Sequence, residues 1–455
     1  MSAHVESLFE EYCCAIVDAL LHADRHEPAK LYLKGLLLSG ERKSVEPMAA
    51  RLCPGNVRSA HQSMNHLVAA ADWDDRAVLG VVAKRIAPEL VKKDERCWWI
   101  VDDTSHVKRG QHSVGVARQY CGRWGKTENC QVAVTLSLAN RHGSVPLDYR
   151  MYLPTAWTED RARCRKAGVP EETEFRTKGQ IARQQIERAL ANNIPRGIAL
   201  ADAGYGHESD FRDWLQARKL DYVLGVRSPT SVWWGKYQPA KVPPQFGRGR
   251  PRVRVPRDAR HQPVSVLEVA RALAPKMWRT VTWRPGSFQP LSSRFARVRV
   301  HAAHHDRVRK EEWLLIEWPQ GEAEPTHYWL STLPREISFK QLVANTMGRW
   351  MIERDYEELK SELGLSHYEG RNWRGFHHHA TLCIAAYGFL MLGRLRGKKN
   401  SAAFKQPPLP EGFRPRGSRS DAASQSLVDC QYALPPRPRN RSHVASMPLL
   451  RETVP

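Results

Sequence analysis

The stretch WWIVDDTSHVKRG, Trp98–Gly110, decides the fold. An apolar run leads into two consecutive acids and then into polar and basic residues, the outline of a strand with acids at its carboxyl end. Side chains alternate along a strand, so Asp102 and Asp103 point to opposite faces and only one of them can serve a given site. A second run has the same outline: IALADAGYG, Ile198–Gly206, carries apolar residues into Asp202 and then glycines. Acids at the ends of two adjacent strands make a candidate site for a hard cation. Mg2+ prefers carboxylate oxygens and keeps water or takes phosphate oxygens for its remaining positions. Taken singly, each acid suits a helix cap equally well.

Outward from Trp98, residues 96–227 alternate short β-rich runs with longer helical ones. Strands are expected at Trp98–Asp103, Cys130–Leu138, Val145–Leu153, Ile198–Asp202 and Tyr222–Val226. Helices are expected from about Lys178 to Asn192 and from about Ser209 to Arg218. Three strands, then helix, strand, helix and strand, give an α/β fold with a mixed sheet covered by helices, the order of a ribonuclease-H-like core.

A third acid comes from a helix expected from about Ser338 to Leu363 and stopped by Gly364. At about 100° per residue, Arg349, Glu353 and Lys360 fall within roughly 40° of one another, with Thr346 and Glu357 close by. Glu358 falls on the side opposite Arg349, and Trp350, Met351 and Leu359 pack elsewhere. Such a stripe is usually a solvated ladder of ion pairs. Its place on a strand-helix order that already carries two strand-end acids is what gives it chemical meaning.

These residues resemble the DDE transposases of bacterial insertion sequences, in the group marked by Tyr-x2-Arg-x3-Glu-x6-Lys. The match is Thr346-x2-Arg349-x3-Glu353-x6-Lys360, with threonine in place of tyrosine. DDT (Asp102–Thr104), KRGQHSVGVARQYCGRWGKTENCQVAV (Lys108–Val134), ADAGYG (Ala201–Gly206) and ELGLSHYEGRNWRGFHHH (Glu362–His379) are similar to the subgroup numbered 701, and the likeness runs from about Ser44 to Leu395. The resemblance implies a transposase that cuts transposon ends and transfers the freed 3′-hydroxyl to target DNA. Asp103, Asp202 and Glu353 would be the catalytic metal ligands, holding two Mg2+ ions that Mn2+ can replace. The family's first aspartate precedes the threonine, hence Asp103, with Asp102 as the alternative. Arg349 and Lys360 would bind DNA phosphates, and the partner would be double-stranded DNA, ends and target, met by a homodimer. Two other readings are a catalytically inactive DNA-binding regulator and a ribonuclease-H-like nuclease that cuts without joining. The intact acids speak against the first. The insertion and the Arg-x3-Glu-x6-Lys helix speak against the second.

The domain organisation that follows is a helical segment at 1–95, the first part of the catalytic core at 96–227 and a β-rich insertion at 228–332. Core helices at 333–396 and a Pro/Arg-rich tail at 397–455, expected to be disordered, complete it. In the first segment SVEPMAARL-CPGN-VRSAHQSMNHLVAAA reads as two helices, Ser44 capping one and Pro54-Gly55-Asn56 ending it. The pair is either a helix-turn-helix presenting Arg58, His61 and Gln62 to DNA or a plain helical hairpin. In the insertion, GRGRPRVRV (Gly247–Val255) is a backbone-binding or merely solvated basic loop. Trp278, Trp283, Trp313, Trp318 and Trp329 read mainly as core residues of half-buried strands, with base stacking by one of them as the other reading. His377, His378 and His379 are consecutive on a helix and point in different directions, so packing or phosphate contact is expected of them rather than a metal site.

A net charge of +22 favours a polyanionic partner, although an Arg-rich genome composition also raises it. No run of about 18 apolar residues is present, which argues against a membrane span. The 9 cysteines run from Cys13 to Cys430 without a CxxC pair, so buried free thiols are expected rather than a zinc site. The acidic start MSAHVESLFEEYCC lacks the pattern of a signal peptide, and a cytoplasmic, DNA-associated bacterial protein is expected.

Overall fold

The computed structural model describes residues 3–122, 124–236, 238–239, 261–284, 290–303 and 309–397. The tail from 398 onward and the Gly247–Val255 loop lie outside the described residues.

The chain opens with helices α1 (Ala3–Asp18), α2 (His26–Leu37), α3 (Val45–Leu52), α4 (Val57–Ala69) and α5 (Asp75–Lys93). Ser44 stands at the start of α3 but makes no capping hydrogen bond. Its Oγ instead accepts from Arg42 Nε at 3.3 Å. α4 buries Ala60, Met64, Leu67 and Val68 and leaves Arg58 and Gln62 exposed and His61 half-buried.

The run that opened the sequence reading becomes β1 (Trp98–Val107), with Trp99, Ile100 and Val101 buried. It extends past the acids because its ladder with β3 continues to Val107 opposite Cys130. β2 (Ala117–Cys121), which the sequence reading lacks, pairs with the first part of β3 (Lys126–Asn140). The rest of β3 pairs with β4 (Gly143–Tyr152). Short helices α6 (Thr155–Thr158) and α7 (Arg161–Lys166) follow, then α8 (Lys178–Ala191), β5 (Ile198–Ala201), α9 (Ala203–Gly206), α10 (Ser209–Ala217) and β6 (Tyr222–Val226). β1 lies antiparallel to β3 and parallel to β5, and β5 lies parallel to β6. The acids thus sit where two parallel strands end, the usual place for a ligand in an open α/β sheet.

β7 (Ser231–Trp233), β8 (Val264–Ser265), α11 (Val266–Ala272), β9 (Arg279–Arg284), β10 (Leu291–Ala302), β11 (Glu311–Glu317) and β12 (His327–Ser331) come next. β12 pairs with β6 from Val223 opposite Ser331 to Val226 opposite Tyr328. Among the described residues one mixed sheet of 12 strands therefore runs β2-β3-β1-β5-β6-β12-β11-β10-β7-β8, with β4 on β3 and β9 on β10. The strands from β7 to β12 continue the sheet that β1, β5 and β6 begin. Arg309 clamps Asp213 of α10 through two hydrogen bonds of 2.7 and 2.6 Å, and Tyr222 donates to buried Glu312 at 2.8 Å. Trp313 is buried, and Trp278, Trp283 and Trp329 pack partly buried against the core.

The helix expected over Ser338–Leu363 is broken. α12 (Phe339–Thr346) passes through a 3-10 turn at Met347–Arg349 into α13 (Trp350–Ser361). Gly348 lies against the Trp98 indole, where an added Cβ would stand 2.7 Å from a ring atom, and Trp98 Nε1 donates to Asn345 Oδ1 at 2.9 Å. Contact with β1 sets the turn. α13 ends as expected at Gly364, whose φ of +71° lets the chain reverse while Leu365 N reaches Leu359 O at 2.8 Å.

α14 (Trp373–Arg396) is apolar nearly all round, which marks a helix enclosed by its neighbours. Its three histidines are buried and face different partners. His377 Nδ1 donates to Trp373 O and Nε2 accepts from Met151 N; His378 stacks on Trp73 with 3.7 Å between ring centres; His379 accepts from Tyr32 and donates to Gly364 O. They pack, as expected. The molecule is a mixed α/β fold with helices on a large mixed sheet, and among the described residues no helix is long and apolar enough to cross a membrane.

Candidate active site

Three elements bring four acids within electrostatic reach of Arg349 or of one another. Asp102 and Asp103 lie in β1, Asp202 follows β5, and Glu353 stands in the first turn of α13. Asp202 Oδ1 accepts from Gly204 N at 2.8 Å and so caps the short α9, the bland role foreseen for a strand-end acid. That bond leaves its second oxygen uncommitted to the cap.

Strand alternation separates the two β1 acids. Asp102 lies opposite Thr135 and Asp103 opposite Val134 on β3. Arg349 enters on the Asp102 side: Nη1 donates to Asp102 Oδ2 at 2.5 Å, and Nη2 stands 3.5 Å from Glu353 Oε1. Asp103 instead takes an ion pair from Lys178 at the start of α8 and a hydrogen bond from the Tyr205 hydroxyl in α9. Asp202 bears electrostatically on both sides.

The charges are mutually strained. Burial pushes the Asp102 carboxyl up to about 7, Arg349 opposes the rise, and Asp202 and Asp103 add to it as like charges. Burial also raises Asp103, against the pull of Lys178. Burial works against the charge on Arg349, but Asp102, Glu353 and Asp202 outweigh it and raise its pKa. Lys178 is raised in the same way, burial being outweighed by Asp103 and Asp202.

The other members of the expected stripe divide. Lys360 Nζ donates to Ser105 O of β1 at 3.3 Å, on the same edge as the acids. Thr346 is buried and gives its hydroxyl to Leu342 O at 2.8 Å, so it faces its own helix. Glu358 points away and pairs with Arg394. The sequence shows Lys178 only as a helix start and Tyr205 only as part of ADAGYG, neither with a role at the site. A signal for Lys178 existed: Thr177 and Gln180 form a capping box around it, and a lysine in the first turn opposes the helix dipole. A residue placed against a local rule often answers to a site.

Hard carboxylate oxygens from two strand ends and a helix are the donor set a divalent cation such as Mg2+ accepts. Among the described residues no three acidic, His or Cys side chains converge closely enough to hold a metal. Lys178 pairs with Asp103, and Arg349 pairs with Asp102 and Glu353, so the acids already draw side-chain cations.

The family model described as DDE superfamily endonuclease matches residues 15–290. The probable transposase for insertion sequence element IS701 of Microchaete diplosiphon is 26% identical over 220 residues, 48% of this chain and 53% of that protein. The match spans about half the length of that curated relative. Because the family model covers more than half of the sequence, from the first helix into the strands beyond β6, the chain belongs to the DDE superfamily endonucleases.

Proposed function

We propose that this chain is an insertion-sequence transposase that binds the ends of its element, cuts DNA strands there and joins them to target DNA. The single observation that carries the reading is the Arg349 bridge, which ties the helix bearing Glu353 to the strand bearing Asp102 and Asp103. In this reading β1, β5, β6 and the helices around them are a ribonuclease-H-like core, with the helical segment 1–95 before it, residues 228–332 inserted in it and 333–396 completing it. It acts on double-stranded DNA as a homodimer.

Asp103, Asp202 and Glu353 would hold two divalent cations, Mg2+ or Mn2+. When bound, these supply activation of the attacking oxygen and stabilisation of the leaving one. Asp102 has a different task, to anchor Arg349. Arg349 and Lys360, on the two sides of Glu353, position backbone phosphates, for which the flat guanidinium of Arg349 is suited to bidentate contact. Lys178 pairs with Asp103 and opposes the rise that burial imposes on its carboxyl, holding the place a cation would take.

The experiment is to incubate the purified protein and Mg2+ with a labelled duplex carrying the inverted repeat that flanks its gene. Transposition gives both nicked ends and branched joined products. Cut ends without joined products would leave a nuclease, and binding without cutting would leave a regulator.

A further inference from the structure

Two of the motif stretches singled out in the sequence have no task in the chemistry above: the Lys108–Ser113 part of KRGQHSVGV and the Ser366–Arg371 part of ELGLSHYEGR. The fold brings them together. With the turn between α2 and α3 they line an open cleft of about 580 Å3 whose charged residues are Glu41, Arg42, Lys108, Arg109, Glu369 and Arg371, beside His112 and His367.

The walls are fixed by bonds across the three segments. Val114 N donates to Arg371 O at 2.9 Å, Lys108 Nζ to Tyr368 O at 2.8 Å, and Lys43 N to His367 Nδ1 at 3.1 Å. Asn129 Nδ2 holds the carbonyls of Lys108 and Gly110 at 2.7 and 3.0 Å. Arg42 is paired with Glu369. Arg109 and Arg371 are exposed, and among the described residues neither guanidinium has an acidic partner. On this preformed polar wall Arg42, Lys108, Arg109 and Arg371 outnumber Glu41 and Glu369, an excess of positive charge that suits an anion with repeated charges.

The cleft also continues the line of the site. Lys108 follows directly on β1, its N–H bonded to Asn129 O at 2.9 Å, and Lys360 marks the way at Ser105. From Asp103 to Lys108 the strand advances about 16 Å at about 3.3 Å per residue. Along duplex DNA, with phosphates every 3.4 Å or so per strand, that is about five nucleotides.

We infer that this cleft is a second binding site for the DNA sugar-phosphate backbone, gripping through Arg109 and Arg371 the strand whose cleaved phosphate lies at the acids. The inference rests on the reading of the chain as a transposase. The contact is to phosphate, so it is indifferent to base sequence and strongly salt-dependent.

The test uses the full chain carrying Glu353→Gln, so that binding is read without cutting, and a fluorescent duplex of about 30 base pairs of arbitrary sequence. Anisotropy is measured across a salt series. Arg109→Ala/Arg371→Ala weakens binding tenfold or more at moderate salt and lowers the slope of log affinity against log salt by about 2, at about 0.9 per contact. Arg109→Lys/Arg371→Lys restores most of the affinity, which separates lost charge from lost folding. Glu369→Gln frees Arg42 and tightens binding. A parent protein that binds the duplex while the double alanine variant matches it in affinity and slope overturns the cleft and leaves the transposase reading standing. A parent that shows no binding at any salt overturns both.

Discussion

Arg349 joins Asp102 across 2.5 Å, although the two residues are 247 positions apart in the chain. The same guanidinium reaches Glu353 at 3.5 Å, so one side chain holds the strand acid and the helix acid in a single charge balance. Replacing it leaves two acids facing each other and Asp202 without their cation. Arg349→Gln is expected to slow single-turnover cleavage of end DNA by about 100-fold, the scale of a lost charge stabiliser. The free energy of unfolding falls too, by about 1–3 kcal/mol in denaturant melts, the full cost of breaking a buried pair being reduced by the partial exposure of both groups.

The two neighbouring acids are expected to differ in kind. Asp103→Asn removes a proposed metal ligand, so cleavage and Mn2+ binding by calorimetry are both lost. Asp102→Asn keeps a hydrogen-bond acceptor for Arg349, so Mn2+ binding remains and cleavage drops by about 10- to 100-fold. The reverse order of effects would give the ligand role to Asp102.

Lys178 is a cation in the place where a metal would gather charge. Lys178→Met is expected to tighten Mn2+ binding about tenfold, equivalent to about 1.4 kcal/mol, because the incoming ion no longer meets the ammonium. The metal-free variant melts lower than the parent, since Asp103 loses its ion pair. Unchanged Mn2+ affinity and unchanged melting would remove Lys178 from the site.

Gly348 is where the fold sets the position of the helix acid. Gly348→Ala pushes a methyl group toward the Trp98 ring and is expected to cost about 1–3 kcal/mol in denaturant unfolding. It also displaces Arg349 and slows cleavage, and Trp98→Leu in the same chain restores part of both.

The sequence showed β1 and β5 through apolar runs ending in acids, and it showed Glu353 through the spacing Arg349, Glu353, Lys360. These are local patterns. What stayed hidden was non-local: the 3-10 turn at Met347–Arg349 depends on Trp98 far upstream, and the ladder of β12 on β6 closes more than a hundred residues. Helical periodicity also placed Thr346 near the stripe, whereas its hydroxyl bonds back into its own helix. Lys178 and Tyr205 reach Asp103 only once α8 and α9 are folded against the sheet.

The buried histidines give the acid limit of stability. Burial lowers His377 to about 3 and His379 to about 4. The unfolded chain takes up these protons near its ordinary value of about 6.5, before the folded one does. Stability is therefore lost as pH falls from about 6.5 toward about 4, by up to about 3 kcal/mol per ring at the acid end. Denaturant melts between pH 7 and 4 check this, and His379→Gln should shallow the decline.

The most direct measurement of the central claim is the product pattern of Glu353→Gln beside the parent, with labelled end duplex, a target plasmid and Mg2+. The account predicts that the parent yields cut and joined strands and that Glu353→Gln yields neither while binding the duplex with the parent's affinity. Cutting and joining by Glu353→Gln at the parent's rate would contradict it.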